Sequence, residues 1–207
     1  MKKFCIFIIL TLVLNFSIYI LGYYFINYPM RFNLQEMIVE CGIGYLLIFM
    51  GFITLISWLI SVIEIKQLDS KTKFLRAFLT LNVLLFLFLL YTSVNQFVQT
   101  KKEINKLENE SIKQAKTDIK NNQVSIKYVG GFEIPLYDKK TNQKIDSIRK
   151  KYGVTYENTG CIIDAKFILV NEKYNNIIRA YLDKRNGKGW QQRMEKEVEN
   201  FEKTAKK

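Results

Sequence analysis

Apolar and polar positions in this chain are sorted into two halves. Three runs, Phe4–Ile26, Ile43–Ile63 and Phe74–Phe97, are apolar almost throughout, with Arg76 the one charge and close to the edge of the third. A helix crosses the hydrocarbon layer of a bilayer with about 20 such residues. Each run therefore predicts a transmembrane helix, and residues 1–99 predict a three-helix transmembrane domain. The first run follows Lys2 and Lys3 but is too long for the core of a signal peptide and lacks a small-residue cleavage site. It is expected to stay as a first helix, with Tyr19, Tyr23, Tyr24 and Tyr28 forming an aromatic belt at its far end.

After Phe97 the pattern changes. Residues 100–122 are rich in Lys, Glu, Gln and Ala, with Ile104, Leu107, Ser111, Ala115 and Ile119 at helical spacing, which predicts a charged helical linker ended by Asn121 and Asn122. Val124–Val129 alternates and is β-branched, so it predicts a strand. Gly130-Gly131 predicts a turn and Phe132–Leu136 a second extended piece. Thr141–Tyr152 predicts a helix closed by Gly153. Val154–Tyr156 and Cys161–Ile163 predict short strands around a turn at Glu157–Gly160. Asp164 is placed to cap a helix reaching Arg185, with Asn186-Gly187 as its C-cap, and a last amphipathic helix starts at Trp190. Residues 123–207 thus read as a small soluble α+β domain ending in a helical hairpin.

Charge follows the same division. Residues 1–99 carry a net +3 and residues 100–207 a net +9, within a total of +12. The tail mixes signs, as in Glu195-Lys196-Glu197, and holds no zinc-finger, helix-turn-helix or RNP pattern, so nucleic acid is not the expected partner. Basic residues beside a membrane anchor instead predict contact with anionic headgroups. Lys2 and Lys3, with Lys66, Lys71, Lys73 and Arg76 in the second loop, favour a cytoplasmic N-terminus. Arg31 and the five lysines that follow the third run oppose it with equal number. A short, doubly basic N-terminus is poorly suited to translocation, so the soluble domain is expected outside the cytoplasmic membrane.

Within the runs, polar residues are few. Gly44, Gly51, Thr54, Ser57 and Ser61 recur along the second run and predict close helix packing. Asn15 and Asn82 fall at similar depths in two spans that start from the same side, which predicts an interhelical amide hydrogen bond. The carboxylates Glu40 and Glu64 stand at the edges of the second span. No broken helix or buried charge points to a transport path.

Chemistry is sparse in the soluble half. The chain has no histidine, which removes the usual general base and the commonest metal ligand. Cys5, Cys41 and Cys161 form no CxxC pair, and Cys161 reads as a small core residue. Glu133, Asp138, Asp146, Glu157 and Asp164 follow no metal-binding spacing, so neither a metal nor a cofactor is expected. The most distinctive stretch runs from Tyr174-Asn175 through Tyr181–Trp190, where Lys184, Arg185 and Lys188 surround an Asn-Gly turn before Trp190. It reads either as a surface for an anionic or carbohydrate ligand or as a helix C-terminus favouring cations, with Trp190 locking two helices together. With Tyr152-Gly153 and Gly160-Cys161, this stretch resembles the tail of small uncharacterised bacterial membrane-associated proteins over residues 130–200. That resemblance implies no activity.

The expected role is a membrane-anchored binding, interaction or scaffolding protein, with a protein partner or a second copy of the chain as its associate. A membrane-bound enzyme using carboxylates or Cys161, or an accessory subunit of a transporter, is the alternative.

Overall fold

The computed structural model describes residues 2–64, 68–130, 138–160 and 164–205. The predicted extended piece Phe132–Leu136, the strand at Cys161–Ile163 and the expected burial of Cys161 all fall outside these residues. Seven helices and two strands occur among them: α1 (Lys2–Ile26), α2 (Leu34–Glu40), α3 (Ile43–Val62), α4 (Ser70–Lys120), β1 (Ser125–Tyr128), α5 (Lys139–Lys151), β2 (Thr155–Asn158), α6 (Ala165–Asn186) and α7 (Trp190–Ala205). The chain is mostly helical, and it divides into two compact units, Met1–Lys101 and Lys102–Lys207.

In the N-terminal unit, α1, α3 and the first part of α4 are long and apolar enough to cross a membrane. Their outer faces carry exposed Ile, Leu, Val and Phe side chains, which in water would be a large unburied apolar surface. By length and composition, three such helices point to an integral membrane protein. The sequence pattern did not suggest α2, a seven-residue helix capped by Asn33 and anchored by the fully buried Met37.

Polar groups inside this unit are spent on backbone and on one another. Thr11, Ser57 and Asn82 donate to carbonyls of the preceding turn of their own helices. Asn15 Nδ2 donates across to Asn82, at 3.2 Å to its backbone oxygen and 3.3 Å to Oδ1, with both residues buried. Asn15 Oδ1 is buried with no hydrogen-bond partner among the described residues. Lys73, also buried, donates Nζ to the Ile63 carbonyl at the end of α3, where the helix dipole favours a cation.

The small residues of α3 divide between two faces. Ser57 and Ser61 are buried, but a Cβ added at Gly44 or Gly51 would meet nothing within 4 Å, so these glycines do not mediate packing within the unit. The close approach occurs at Gly22, where a Cβ would lie 2.6 Å from Ser93 Oγ on α4.

In the C-terminal unit, β1 and β2 pair in parallel, Ser125 opposite Thr155 through Tyr128 opposite Asn158, with α5 as the connection. Strand β2 runs through Glu157 and Asn158, which the sequence placed in a turn. The pairing extends its ladder, since Thr159 N–H still donates to the Tyr128 carbonyl at 2.8 Å. Asp138 caps α5 by accepting from Thr141, and that bond holds its carboxyl below the usual carboxylate range. Asp164 caps α6 through Lys166 N–H.

The core of this unit joins β1, α5, α6, α7 and the end of α4, with Ile126, Ile148, Tyr174, Ile178, Leu182 and Trp190 among its buried members. Ala115 of α4 is fully buried in it, and Ser111 Oγ donates to the Val170 carbonyl of α6 at 3.0 Å. Residues 102–120 are therefore part of this packed unit. Small side chains at 111 and 115 let α6 come close.

A polar cleft as the candidate functional site

The residues with chemistry in the C-terminal unit converge where β1 and β2 begin. The end of α4 brings Gln114 and Asp118, its αL stop brings Asn122, β1 brings Ser125, β2 brings Thr155 and Glu157, and α5 and α6 bring Lys150 and Arg185. These residues line an open cleft of about 610 Å³, within the range of small-molecule sites.

One wall is an acceptor-rich chain of oxygens. Tyr174 lies buried beneath it and donates its hydroxyl to Asp118 Oδ2 at 2.7 Å. Ser125 Oγ lies 3.3 Å from the Tyr174 hydroxyl and 3.1 Å from Glu157 Oε2. Two hydroxyl protons serve three oxygen–oxygen contacts, so with both carboxylates ionised one contact lacks a hydrogen. The burial of Tyr174 pushes its hydroxyl up to about 12, which keeps it a donor. Lys127 Nζ sits over its ring, 4.3 Å from the centroid.

The basic groups of the lining are Lys150 and Arg185. Arg185 donates to Asn122 Oδ1 at 3.1 Å and lies against Gly153, where an added Cβ would meet the guanidinium at 2.6 Å. Gly153 has φ +68°, which suits glycine and ends α5. Among the described residues, Lys150, Arg185, Asp118 and Glu157 form no ion pair. Among the described residues, two cations and two carboxylates thus share one cleft without forming an ion pair.

The basic stretch read from the sequence is split by the fold. Lys184, Arg185 and Lys188 are exposed, and Arg185 alone of them lines the cleft. Trp190 is 2% exposed and sits in the core. The turn before it is held by Arg193, which donates to the carbonyls of Asn186 at 2.8 Å and Lys188 at 2.9 Å. Asn186 Nδ2 in turn donates to the Tyr152 carbonyl.

Asp118 and Ser125 escaped the sequence reading, and Tyr174, which opens the distinctive stretch, was not joined to them because no motif unites the three. They lie on three elements and meet only through tertiary packing. Glu157 was one of five scattered carboxylates, and Glu133 lies outside the described residues. Among the described residues no group of three or more His, Cys, Asp or Glu side chains is close enough to hold a metal ion. Comparison of the chain with protein-family models, curated proteins and solved structures finds no match.

Proposed function

We propose that this chain is a membrane-anchored binding protein whose C-terminal unit takes, in its cleft, a ligand or partner segment presenting an ammonium and an anionic group together. The observation that carries this reading is the pairing in one cleft of Asp118 and Glu157 with Lys150 and Arg185, none of them in an ion pair among the described residues. Charges that fold-internal partners do not neutralise are available to a ligand, and the acceptor-rich wall has room for an added donor. Ser125 supports binding over nucleophilic catalysis, since its polar contacts are Glu157 and Tyr174 and the chain has no histidine to activate it.

The anchor sets location. On this reading it holds the protein in a bacterial cytoplasmic membrane with the N-terminus inside, contacts anionic lipid, and displays the C-terminal unit outside to a protein partner or a second copy. A reporter fused after Lys207 and active only in the cytoplasm should stay silent; a strong signal would reverse this orientation.

The binding role is tested by photocross-linking in intact membranes. A benzophenone amino acid at Gln114 or Gln123, both lining the cleft, should give discrete adducts. The same probe at exposed Lys196 of α7 should not. Adducts absent from the cleft positions, or equal at Lys196, would remove the binding reading.

A further inference from the structure

The connection between α1 and α3 stays low against α1. Tyr19 of α1 donates its hydroxyl to the Gly42 carbonyl at 3.2 Å, and Tyr23 donates to Glu40 Oε2 at 2.7 Å. Glu40 ends α2, and Gly42 is the N-cap of α3. Tyr19 lies seven residues before Ile26, the end of α1, a distance of about 10 Å along the axis. Side chains of a helix lean toward its N-terminus, so the tyrosines reach these partners without turning out past Ile26. The passage from α2 into α3 therefore lies alongside the span of α1, within one compact unit. The 23 residues Phe4–Ile26 extend about 34 Å, against a hydrocarbon layer of about 30 Å. A level about 10 Å inside their end falls among acyl chains near the headgroup boundary, the depth at which amphipathic helices settle.

Residues four apart share a helix face. In α2, Met37 turns into the unit and is fully buried. Leu34 and Ile38 form one exposed face, 51% and 42% accessible, and Glu36 and Glu40 stand on the opposite one. Phe32, 56% accessible just ahead of the helix, packs edge-on against Tyr24 of α1 with ring centroids 5.5 Å apart. These outward apolar side chains continue the exposed apolar surface of α1 and α3.

We infer that α2 is an interfacial helix, lying in one leaflet of the bilayer with Leu34 and Ile38 among acyl chains and Glu36 on the side of water. This rests on the anchor crossing the membrane. It does not depend on the cleft, on the position of the C-terminal unit or on which compartment α2 faces. Because α2 carries carboxylates and no Lys or Arg, apolar burial rather than attraction to anionic headgroups holds it there.

The test uses the full chain with Cys5, Cys41 and Cys161 replaced by Ser, reconstituted in nanodiscs of phosphatidylcholine alone. Nitroxide labels are placed one at a time at Leu34→Cys, at Ile38→Cys as an independent second site, at Glu36→Cys on the opposite face and at Lys188→Cys as the exposed reference. The labels replacing Leu34 and Ile38 should be several-fold less accessible to an aqueous nickel chelate than the other two, and more accessible to oxygen. Equal nickel accessibility at all four sites would overturn the proposal. So would protection of the Leu34 and Ile38 sites from nickel and oxygen alike, since protein rather than lipid would then cover the face. Spin–spin coupling between labelled copies in that case would name a second chain as the cover. Unchanged circular dichroism and thermal unfolding of the labelled proteins keep loss of fold from imitating either result.

Discussion

Asn15 Nδ2 donates to both the backbone oxygen and Oδ1 of Asn82, joining α1 to α4 at a fully buried point between two apolar helices. In hydrocarbon an unpaired amide is costly, and paired amides across helices contribute about 0.5–2 kcal/mol. Asn15→Leu and Asn82→Leu should each destabilise the N-terminal unit by that order. The double variant should cost less than the two singles together, because either single already removes the side-chain bond from Asn15 Nδ2 to Asn82 Oδ1. Reversible unfolding in mild detergent measures this, and strictly additive effects would contradict the pairing.

A second amide acts on the sheet. Asn175 of α6 accepts from Lys127 N–H at 2.8 Å and donates to the Lys127 carbonyl at 2.7 Å, completing the edge of β1 that does not face β2. Asn175→Ala leaves both backbone groups without that partner, and the loss is expected at about 2–3 kcal/mol. Asn175→Asp keeps an acceptor but turns a second one toward the carbonyl, and should be no better. Faster hydrogen exchange at the Lys127 amide, with a lowered unfolding midpoint, would report the effect.

Gly153 links stability to the cleft. Its φ of +68° disfavours a side chain, and its hydrogen atoms face the Arg185 guanidinium. Gly153→Ala should cost about 1 kcal/mol from backbone conformation and also displace Arg185 from Asn122. Arg185→Gln alone should leave stability nearly unchanged, since the side chain is exposed. Thermal unfolding of both variants separates the contributions.

Tyr174 predicts an alkaline response. Its folded hydroxyl stands at about 12, above the ordinary value of 10.0. A group whose proton is held more tightly in the folded state stabilises fully below its unfolded pKa, and that contribution is lost as pH rises through the folded value. The loss should fall between pH 10 and pH 12. Absorbance at the tyrosinate band should show a late step above the ordinary tyrosine range, to which Tyr156 also contributes, and Tyr174→Phe should remove its latest part. At the acid end, Lys151 holds the Glu197 carboxyl below its usual range, so that contribution fades as pH falls below 4.5. Glu197→Gln should flatten this acid limb.

The sequence made the membrane half legible because bilayer thickness imposes a length and composition that few other structures share. Asn15 and Asn82 were visible as isolated amides at matching depth. Gly22 was not, since the signal for close approach lies in its partner Ser93 some seventy residues on. In the C-terminal half, local patterns marked β1, α5, α6 and α7 and the caps Asp164 and Gly187. Tertiary pairing was beyond them: nothing near Thr155 names Ser125 as its parallel neighbour, and nothing near Asp118 names Tyr174. The cleft draws on three helices and two strands, none with a local motif for it, so only the fold brings its charges together. Trp190 shows the converse, a conspicuous residue in the sequence whose place is the core.

The most direct measurement is a calorimetric titration of the full-length protein in nanodiscs with triglycine, a minimal probe carrying both an ammonium and a carboxylate. N-acetylated and C-amidated glycine peptides of the same length serve as single-charge controls. The account predicts saturable heat with triglycine, weaker binding of both controls, and loss of binding in Asp118→Asn and in Arg185→Gln, with Lys184→Gln unaffected. No saturable heat from triglycine in the folded protein, or heat unchanged by Asp118→Asn and Arg185→Gln, would contradict it.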